Sequence, residues 1–211
     1  MANSDLALRQ LILAIANGDS AEFSKLLSEN PALATARFEV TNATRQTAKE
    51  NLVVEVGKYI YRGDTALHFA ATVYRAEMIR ILIAKGASVL AKNRLGDEPL
   101  HAAANGSPGS ERWNPKAQAT AIKTLVEAGA DPNAVNKMGV APLHKAVRTR
   151  CADAVRTLLE LGANPSQKNK RGSNAMLLAK MNTGRGGSGS PEAKVQQQQI
   201  LKLLRERSAN E

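Results

Sequence analysis

The chain has 211 residues, of which 29 are basic and 19 acidic, so its formal net charge is +10 at pH 7. The single cysteine, Cys151, excludes an intramolecular disulfide framework. No apolar run reaches the length of a membrane-spanning helix, and residues 1–5 lack the basic and then apolar pattern of a secretory leader. We therefore expect a soluble, cytoplasmic protein without membrane contact, with signal-independent secretion left open.

Residues 5–34 open the chain with two predicted helices. Apolar residues recur at helical spacing on both sides of the short polar segment 16–19, ANGD. The second run closes with LLSENP at residues 26–31, where proline ends the pattern. We interpret this segment as a degenerate first copy of a unit that recurs along the chain.

A phrase that begins with glycine recurs four times after this segment. Gly63, Gly96, Gly139 and Gly172 are separated by 33, 43 and 33 residues and open the phrases GDTALH, GDEPLH, GVAPLH and GSNAML. Glycine tolerates the positive φ of a tight turn, Thr or Glu two residues later can cap a helix, and proline suits the first helical turn. Each phrase therefore predicts the start of a helix.

The first three phrases each lead to a second helix. The runs IRILI at 79–83, IKTLV at 122–126 and VRTLL at 155–159 are apolar at helical spacing, and a Gly-Ala pair follows each of them. Each unit is thus predicted to be two short helices and a turn. Because one such unit cannot bury its apolar face alone, neighbouring units must stack into a solenoid.

This pattern resembles the ankyrin repeat, which has a period of about 33 residues. The segments AGADPN at 128–133 and LGANP at 161–165 are similar to the family's junction between a second helix and the next β-hairpin finger. The resemblance implies an all-α repeat fold, a solenoid of paired antiparallel helices with β-hairpin fingers. We predict one domain, residues 1–211, with repeats at 5–34, 62–91, 95–134, 138–167 and 171–207.

Three segments depart from the period, and we interpret them as insertions at 37–60, 105–113 and 182–189. The first contains two alternating stretches, which predict that one finger is a lengthened β-hairpin. The other two end in Asn114-Pro115 and Ser190-Pro191, each a cap followed by a proline of the first helical turn. They are therefore predicted to be loops between the two helices of a repeat.

Aromatic residues concentrate at two of these insertions. The chain has only three tyrosines, three phenylalanines and one tryptophan, and four of the seven lie in or beside the first two insertions: Phe38, Tyr59, Tyr61 and Trp113. Aromatic side chains are favoured anchors of protein interfaces. They also pack long loops onto a domain, and the sequence leaves both interpretations open.

The three histidines occupy the same position of successive phrases, His68, His101 and His144. Packed helices lie about 8–10 Å apart, whereas zinc holds its ligands at about 2 Å, so this column does not predict a metal site. The resemblance implies that each histidine bonds the backbone around its turn. The chain also lacks a phosphate-binding loop, a nucleophile elbow and an evident carboxylate pair. We predict no catalytic, cofactor or metal site and no enzymatic activity.

Basic charge concentrates in the last two repeats. Residues 137–211 hold 14 basic and 5 acidic side chains, whereas residues 1–136 hold 15 and 14. One hypothesis is a patch for an anion or an acidic partner at the helix-turn end of the stack, made of Arg112, Trp113, Arg148, Arg150 and Arg185. The alternative is a solvated basic surface.

These observations predict a monomeric, non-enzymatic adaptor that binds another protein, with an acidic surface, through its concave face and extended finger. The alternative function is binding of nucleic acid or another polyanion by the basic C-terminal repeats. The candidate partner contacts are Phe38, Val54, Val56, Tyr59, Tyr61, Arg94, Leu95, Lys137, Met138, Lys170 and Arg171.

Overall fold

The computed structural model describes residues 3–39, 52–55, 57–111, 113–181 and 190–209. Val56, Arg112, Arg185 and the predicted loop 182–189 lie outside these residues. A 3-10 turn at Pro31–Ala34 precedes an antiparallel hairpin of two strands, β1 at Leu52–Val53 and β2 at Lys58–Tyr59. The helices α1 to α10 are Asn3–Asn17, Ser20–Glu29, Ala66–Thr72, Ala76–Ala84, Pro99–Ala103, Pro115–Glu127, Pro142–Arg148, Ala152–Glu160, Ala175–Lys180 and Pro191–Ala209.

The helices pack in two rows. The odd-numbered helices α1, α3, α5, α7 and α9 contact one another in order and form the first-helix row. The helices α4, α6, α8 and α10 form the second row in the same way, while α2 packs on α1. The predicted all-α solenoid of helix pairs is thereby confirmed, and the boundaries of the individual repeats stay a prediction. Among the described helices, none is long and apolar enough to cross a membrane.

Several helices begin where the sequence predicts, each with a side chain that caps its N-terminus. Thr65 Oγ1 accepts a hydrogen bond from the backbone N–H of His68 at the start of α3. Asn114 Oδ1 accepts from the N–H of Ala117, and Ser190 Oγ accepts from the N–H of Ala193, each with a proline at the next position. These bonds satisfy N–H groups that have no partner inside the helix. The two predicted restarts after insertions are therefore confirmed.

The three histidines connect neighbouring repeats. The Nδ1 atoms of His68, His101 and His144 accept hydrogen bonds from the backbone N–H of Thr65, Glu98 and Ala141, at 3.3, 3.2 and 2.9 Å. Because Nδ1 accepts, the proton of each neutral ring lies on Nε2. Each Nε2 then donates to a carbonyl of the next finger, those of Asp97, Val140 and Gln167, at 3.0, 3.0 and 2.9 Å. The structural role predicted for these histidines is confirmed.

The apolar core runs the length of the stack. It begins with Leu11, Ile12 and Phe23 of the first pair of helices and continues to Ile200 and Leu204 of α10, all of them buried. Two polar side chains of α10 bond the backbone of neighbouring helices. Gln196 Oε1 accepts a hydrogen bond from the N–H of Ala152, and Gln197 Nε2 donates one to the carbonyl of Ala179. Two glutamines of α10 thus bond the backbone of α8 and of α9.

The neutral imidazoles predict how stability depends on pH. Burial lowers the pKa of all three histidines, that of His101 from 6.5 to about 4. Because the folded-state pKa lies below the unfolded one, the unfolded chain binds more protons in this window, and stability falls as the pH decreases from about 7 towards 4. His101 alone should account for a loss of about 2 kcal/mol between pH 7 and pH 5. The free energy of unfolding by urea, measured across this range, tests the expectation.

The variant His101→Gln provides the control for this measurement. Glutamine carries no titratable group, so the variant should be less stable at pH 7 but should have a shallower pH dependence than the wild-type chain. Identical slopes in the two proteins would contradict the assignment of the imidazole as a buried neutral bridge.

Candidate functional site

The tips of the fingers share one backbone arrangement, which begins with an asparagine. Asn93 Oδ1 accepts hydrogen bonds from the N–H groups of Leu95 and Asp97 at 3.0 and 3.1 Å. Asn136 and Asn169 do the same for the residues two and four positions later. The side chain therefore substitutes for a backbone partner and fixes each turn. Because three successive fingers repeat this turn, their tips present side chains at equivalent positions.

Backbone hydrogen bonds join one finger to the next. The N–H groups of Arg94, Lys137 and Lys170 donate to the carbonyls of Arg62, Leu95 and Met138 at 2.8, 3.1 and 3.1 Å. Gly96 makes this approach possible, because a Cβ at its position would lie 3.0 Å from the backbone nitrogen of Lys137. Its φ of +76° is also one that other residues rarely adopt. The tips thus form a continuous ladder with a fixed spacing.

Six tip residues line this ladder and are all exposed. We call them the finger-tip row: Arg94, Leu95, Lys137, Met138, Lys170 and Arg171. The two apolar members, Leu95 and Met138, keep 46% and 51% of their surface in contact with solvent although both sit on a rigid backbone. Four cations flank them. The row is therefore a basic surface with apolar positions at successive fingers.

The hairpin adds aromatic surface beside the row. Strand pairing matches Leu52 with Tyr59 and Val53 with Lys58. Tyr59 is 42% exposed, and its ring lies 6.4 Å from the ring of Tyr61. The guanidinium carbon of Arg94 lies 3.9 Å from the centre of the Tyr61 ring, a cation–π contact that links the hairpin to the finger-tip row. Tyr59, Tyr61 and exposed Val54 therefore remain candidate contacts.

One predicted partner contact belongs instead to the core. Phe38 is only 2% exposed, and its N–H and carbonyl bond the backbone of Asp64 and Gly63. Its ring packs the start of the insertion onto the stack, so it cannot contact a partner, and the expectation for this residue was wrong. Sequence alternation alone did not show which side of the insertion faces inward.

The inner face of the hairpin lies on the first-helix row. Val53 is fully buried and Ile60 nearly so, and a guanidinium nitrogen of Arg9 in α1 lies 3.4 Å from the carbonyl oxygen of Leu52. On the same face, burial and the nearby ammonium group of Lys145 in α7 lower the pKa of Lys58. The hairpin therefore folds back from the finger end across α1 to α7. It covers part of the surface that the sequence analysis assigned to a partner.

The predicted basic patch at the helix-turn end is not assembled by the described residues. Arg148 is exposed, but Arg150, which has a φ of +60° in the turn before α8, is only 5% exposed. The Trp113 indole N–H donates to Gln118 Oε1 at 2.9 Å, and the amide nitrogen of Gln118 donates to the carbonyl of Ala103. Trp113 thus packs the second insertion onto the stack. The prediction that Arg150 binds an anion at the surface was therefore wrong.

A cleft of about 600 Å³ lies at this end, and the sequence did not indicate it. Its walls come from the hairpin turn, from the ends of α1 and α3, and from the second insertion. Tyr74 and Trp113 are the aromatic wall residues, and the Tyr74 hydroxyl donates to the carbonyl of Asn105 at 2.6 Å. The only sequence signal for this site was the length of the two insertions.

The one cysteine and the three histidines of the chain are all buried. The Cys151 thiol is fully buried, and burial raises its pKa to about 11, which makes it a poor nucleophile. In the part of the chain that the structure describes, no group of three or more His, Cys, Asp or Glu side chains is arranged to hold a metal ion. The finger-tip row, the outer face of the hairpin and the cleft are exposed features of the described residues.

Comparison with protein-family models gives matches over most of the chain. A model described as ankyrin repeats (3 copies) matches residues 11–110, and one described as ankyrin repeats (many copies) matches residues 125–179. A model of the single ankyrin repeat matches residues 95–137, which include the second insertion. A search of curated proteins found no match.

Close packing at Gly106 predicts that this position accepts no larger residue. A Cβ there would lie 2.5 Å from Cys151 Sγ and 2.9 Å from the indole nitrogen of Trp113. We expect Gly106→Ala to lower the free energy of unfolding by about 1–3 kcal/mol, as overpacking does, and to change the fluorescence of Trp113. Urea unfolding followed by tryptophan emission measures both effects.

A double-mutant cycle with Cys151→Ala separates this contact from other causes. Removing the sulfur relieves the closer of the two clashes, so Gly106→Ala should cost less in the Cys151→Ala background than in the wild-type chain. Equal costs in the two backgrounds would show that the sulfur does not limit the space at Gly106.

Proposed function

The chain belongs to the ankyrin-repeat family, whose repeats generally act as protein–protein interaction modules, and we propose that it is a non-enzymatic adaptor. It binds another protein through the finger-tip row and the outer face of the hairpin. The observation that carries this proposal is the exposure of Leu95 and Met138, about half of each side chain, on a backbone fixed by the asparagine turns. A rigid backbone lowers the entropy cost of binding.

The composition of this surface indicates the kind of partner. Apolar and aromatic side chains at the centre of an interface supply most of its affinity, and Leu95, Met138 and Tyr59 fill this role here. The cations Arg94, Lys137, Lys170 and Arg171 surround them, so the complementary partner surface is acidic at its rim. Because the hairpin covers part of the first-helix row, we place the partner on the tips and not deep in the concave face.

Truncation of the apolar tips tests this proposal. The variant Leu95→Ala/Met138→Ala should bind the partner at least about tenfold more weakly. Each truncation removes a side chain that the partner would bury, and such an anchor contributes about 1 kcal/mol or more to binding. The partner is first identified by affinity capture from nuclease-treated lysate and then purified. Its affinity for each variant is measured by calorimetry.

Leu6→Ala/Val195→Ala is the matched control. Leu6 and Val195 are 50% and 51% exposed, close to the values for Leu95 and Met138, but they lie on α1 and α10. The control should bind as the wild-type chain does. If the purified partner binds the two double variants equally well, or if the wild-type chain retains no protein, the proposed surface is wrong.

Reversal of charge at the last finger tests the acidic rim. Lys170→Glu/Arg171→Glu should slow association with the purified partner and weaken its dependence on salt, because rim charges steer the encounter. Lys85→Glu/Lys123→Glu changes the net charge by the same amount at exposed positions on the second-helix side. The association rates of the two variants are compared by stopped flow at two salt concentrations. Equal rates for the two variants would contradict the proposal that an acidic rim of the partner meets the last finger.

A further inference from the structure

Two cations line the cleft at the helix-turn end. Lys58 of β2 and Arg75, which follows Tyr74 in the turn before α4, both line it. Within the described residues, neither side chain makes an ion pair or a hydrogen bond. The guanidinium of Arg75 lies over Gly18, where a Cβ would come within 2.6 Å of it. The lack of a side chain at Gly18 therefore leaves space for the guanidinium of Arg75 at the cleft.

The charges around Lys58 do not compensate it. Lys145 is close enough to disfavour the charged form of Lys58, and the carboxylate of Asp97 is already paired with Lys145. Glu55 is the one acidic residue among those that line the cleft, and it has interactions of its own. A half-buried ammonium group beside a second ammonium group is stabilised by an added negative charge. The electrostatics of the cleft thus favour an anionic ligand.

The neutral part of the lining matches peptide groups. Asn17, Asn105, Ser107 and Ser110 provide amides and hydroxyls, which can both donate and accept. Trp113 adds an apolar wall, and its bond to Gln118 holds the ring in place. A peptide presents N–H donors and carbonyl acceptors together with carboxylates, so it can use both the donors and the acceptors of this lining, whereas an inorganic anion mainly accepts hydrogen bonds. The volume of about 600 Å³ lies within the range of pockets for small organic ligands, about 300–1,000 Å³.

We propose that this cleft binds a short acidic peptide segment of a partner protein, with an Asp or Glu carboxylate held between Lys58 and Arg75. A neighbouring apolar side chain of the peptide packs against Trp113. This site is separate from the finger-tip row, because none of the six residues of that row lines the cleft. It can therefore be tested without knowing the partner of that row.

The experiment uses Trp113 as the reporter, since it is the only tryptophan in the chain. The full-length protein is titrated at low salt with a panel of blocked hexapeptides that combine Asp or Glu with one aliphatic or aromatic residue. A second panel carries Asn and Gln in place of the acids. We expect acidic peptides to shift the Trp113 emission with saturation and the amide panel not to do so. Calorimetry of the same titrations detects any binding that leaves the emission unchanged.

Charge removal assigns the binding to the cleft. Lys58→Gln and Arg75→Gln should each weaken binding of the best acidic peptide at least about tenfold. Lys85→Gln, at an exposed lysine outside the cleft, should not change it. Circular dichroism confirms first that each variant melts as the wild-type chain does. The Leu95→Ala/Met138→Ala variant should bind the peptide normally, which separates this site from the finger-tip row.

Three results would overturn the proposal. The first is that no acidic peptide binds by either method. The second is that acidic and amide peptides bind equally, or that Lys58→Gln and Arg75→Gln bind as the wild-type chain does. The third is that inorganic phosphate alone changes the Trp113 emission with saturation while no peptide binds, which would make the cleft a site for small anions.

Discussion

The hydrogen bonds of three neutral imidazoles hold this structure in register. Each ring accepts from the backbone at the start of its own helix and donates to a carbonyl of the next finger. A helix such as α5, with five residues, has no stability of its own. The imidazole both caps it and ties it to its neighbour. These bonds and the backbone bonds between neighbouring tips together fix the spacing of the fingers, and with it the placement of Leu95 and Met138.

The sequence predicted the features that depend on local chemistry. The caps at Asn114 and Ser190 involve residues close together in the chain. The glycine phrases and the histidines recur with the period of the repeat, so for these features the pattern was sufficient. It did not predict which residues of an insertion face inward. Phe38 and Tyr59 are both aromatic, yet one is buried and the other exposed. The backbone of Phe38 pairs with Gly63 and Asp64 on the stack, whereas Tyr59 lies on the hairpin face opposite buried Val53.

The cleft depended on contacts that no local pattern contains. Lys58, Arg75 and Trp113 come from three separate segments and meet only because the hairpin folds back over the first-helix row. The turns between the two helices of a repeat were also not predictable from local sequence. Gly18, Tyr74 and Arg150 occupy the same hydrogen-bonded position in three of these turns, at φ values of +72°, +60° and +60°. Of these three residues, only glycine is typical of a turn with positive φ. At Tyr74 the strain of about 1–2 kcal/mol is opposed by the bond of its hydroxyl to Asn105.

The hairpin connects the two proposed binding sites. Lys58 and Tyr59 are adjacent, and because side chains alternate along a strand, one faces the cleft and the other faces solvent near the finger-tip row. A hairpin of two strands is marginally stable by itself, and here the buried side chains of Val53 and Ile60 hold it on the stack. The same packing therefore fixes the backbone of both proposed sites, because it positions Lys58 at the cleft and Tyr59 on the outer face.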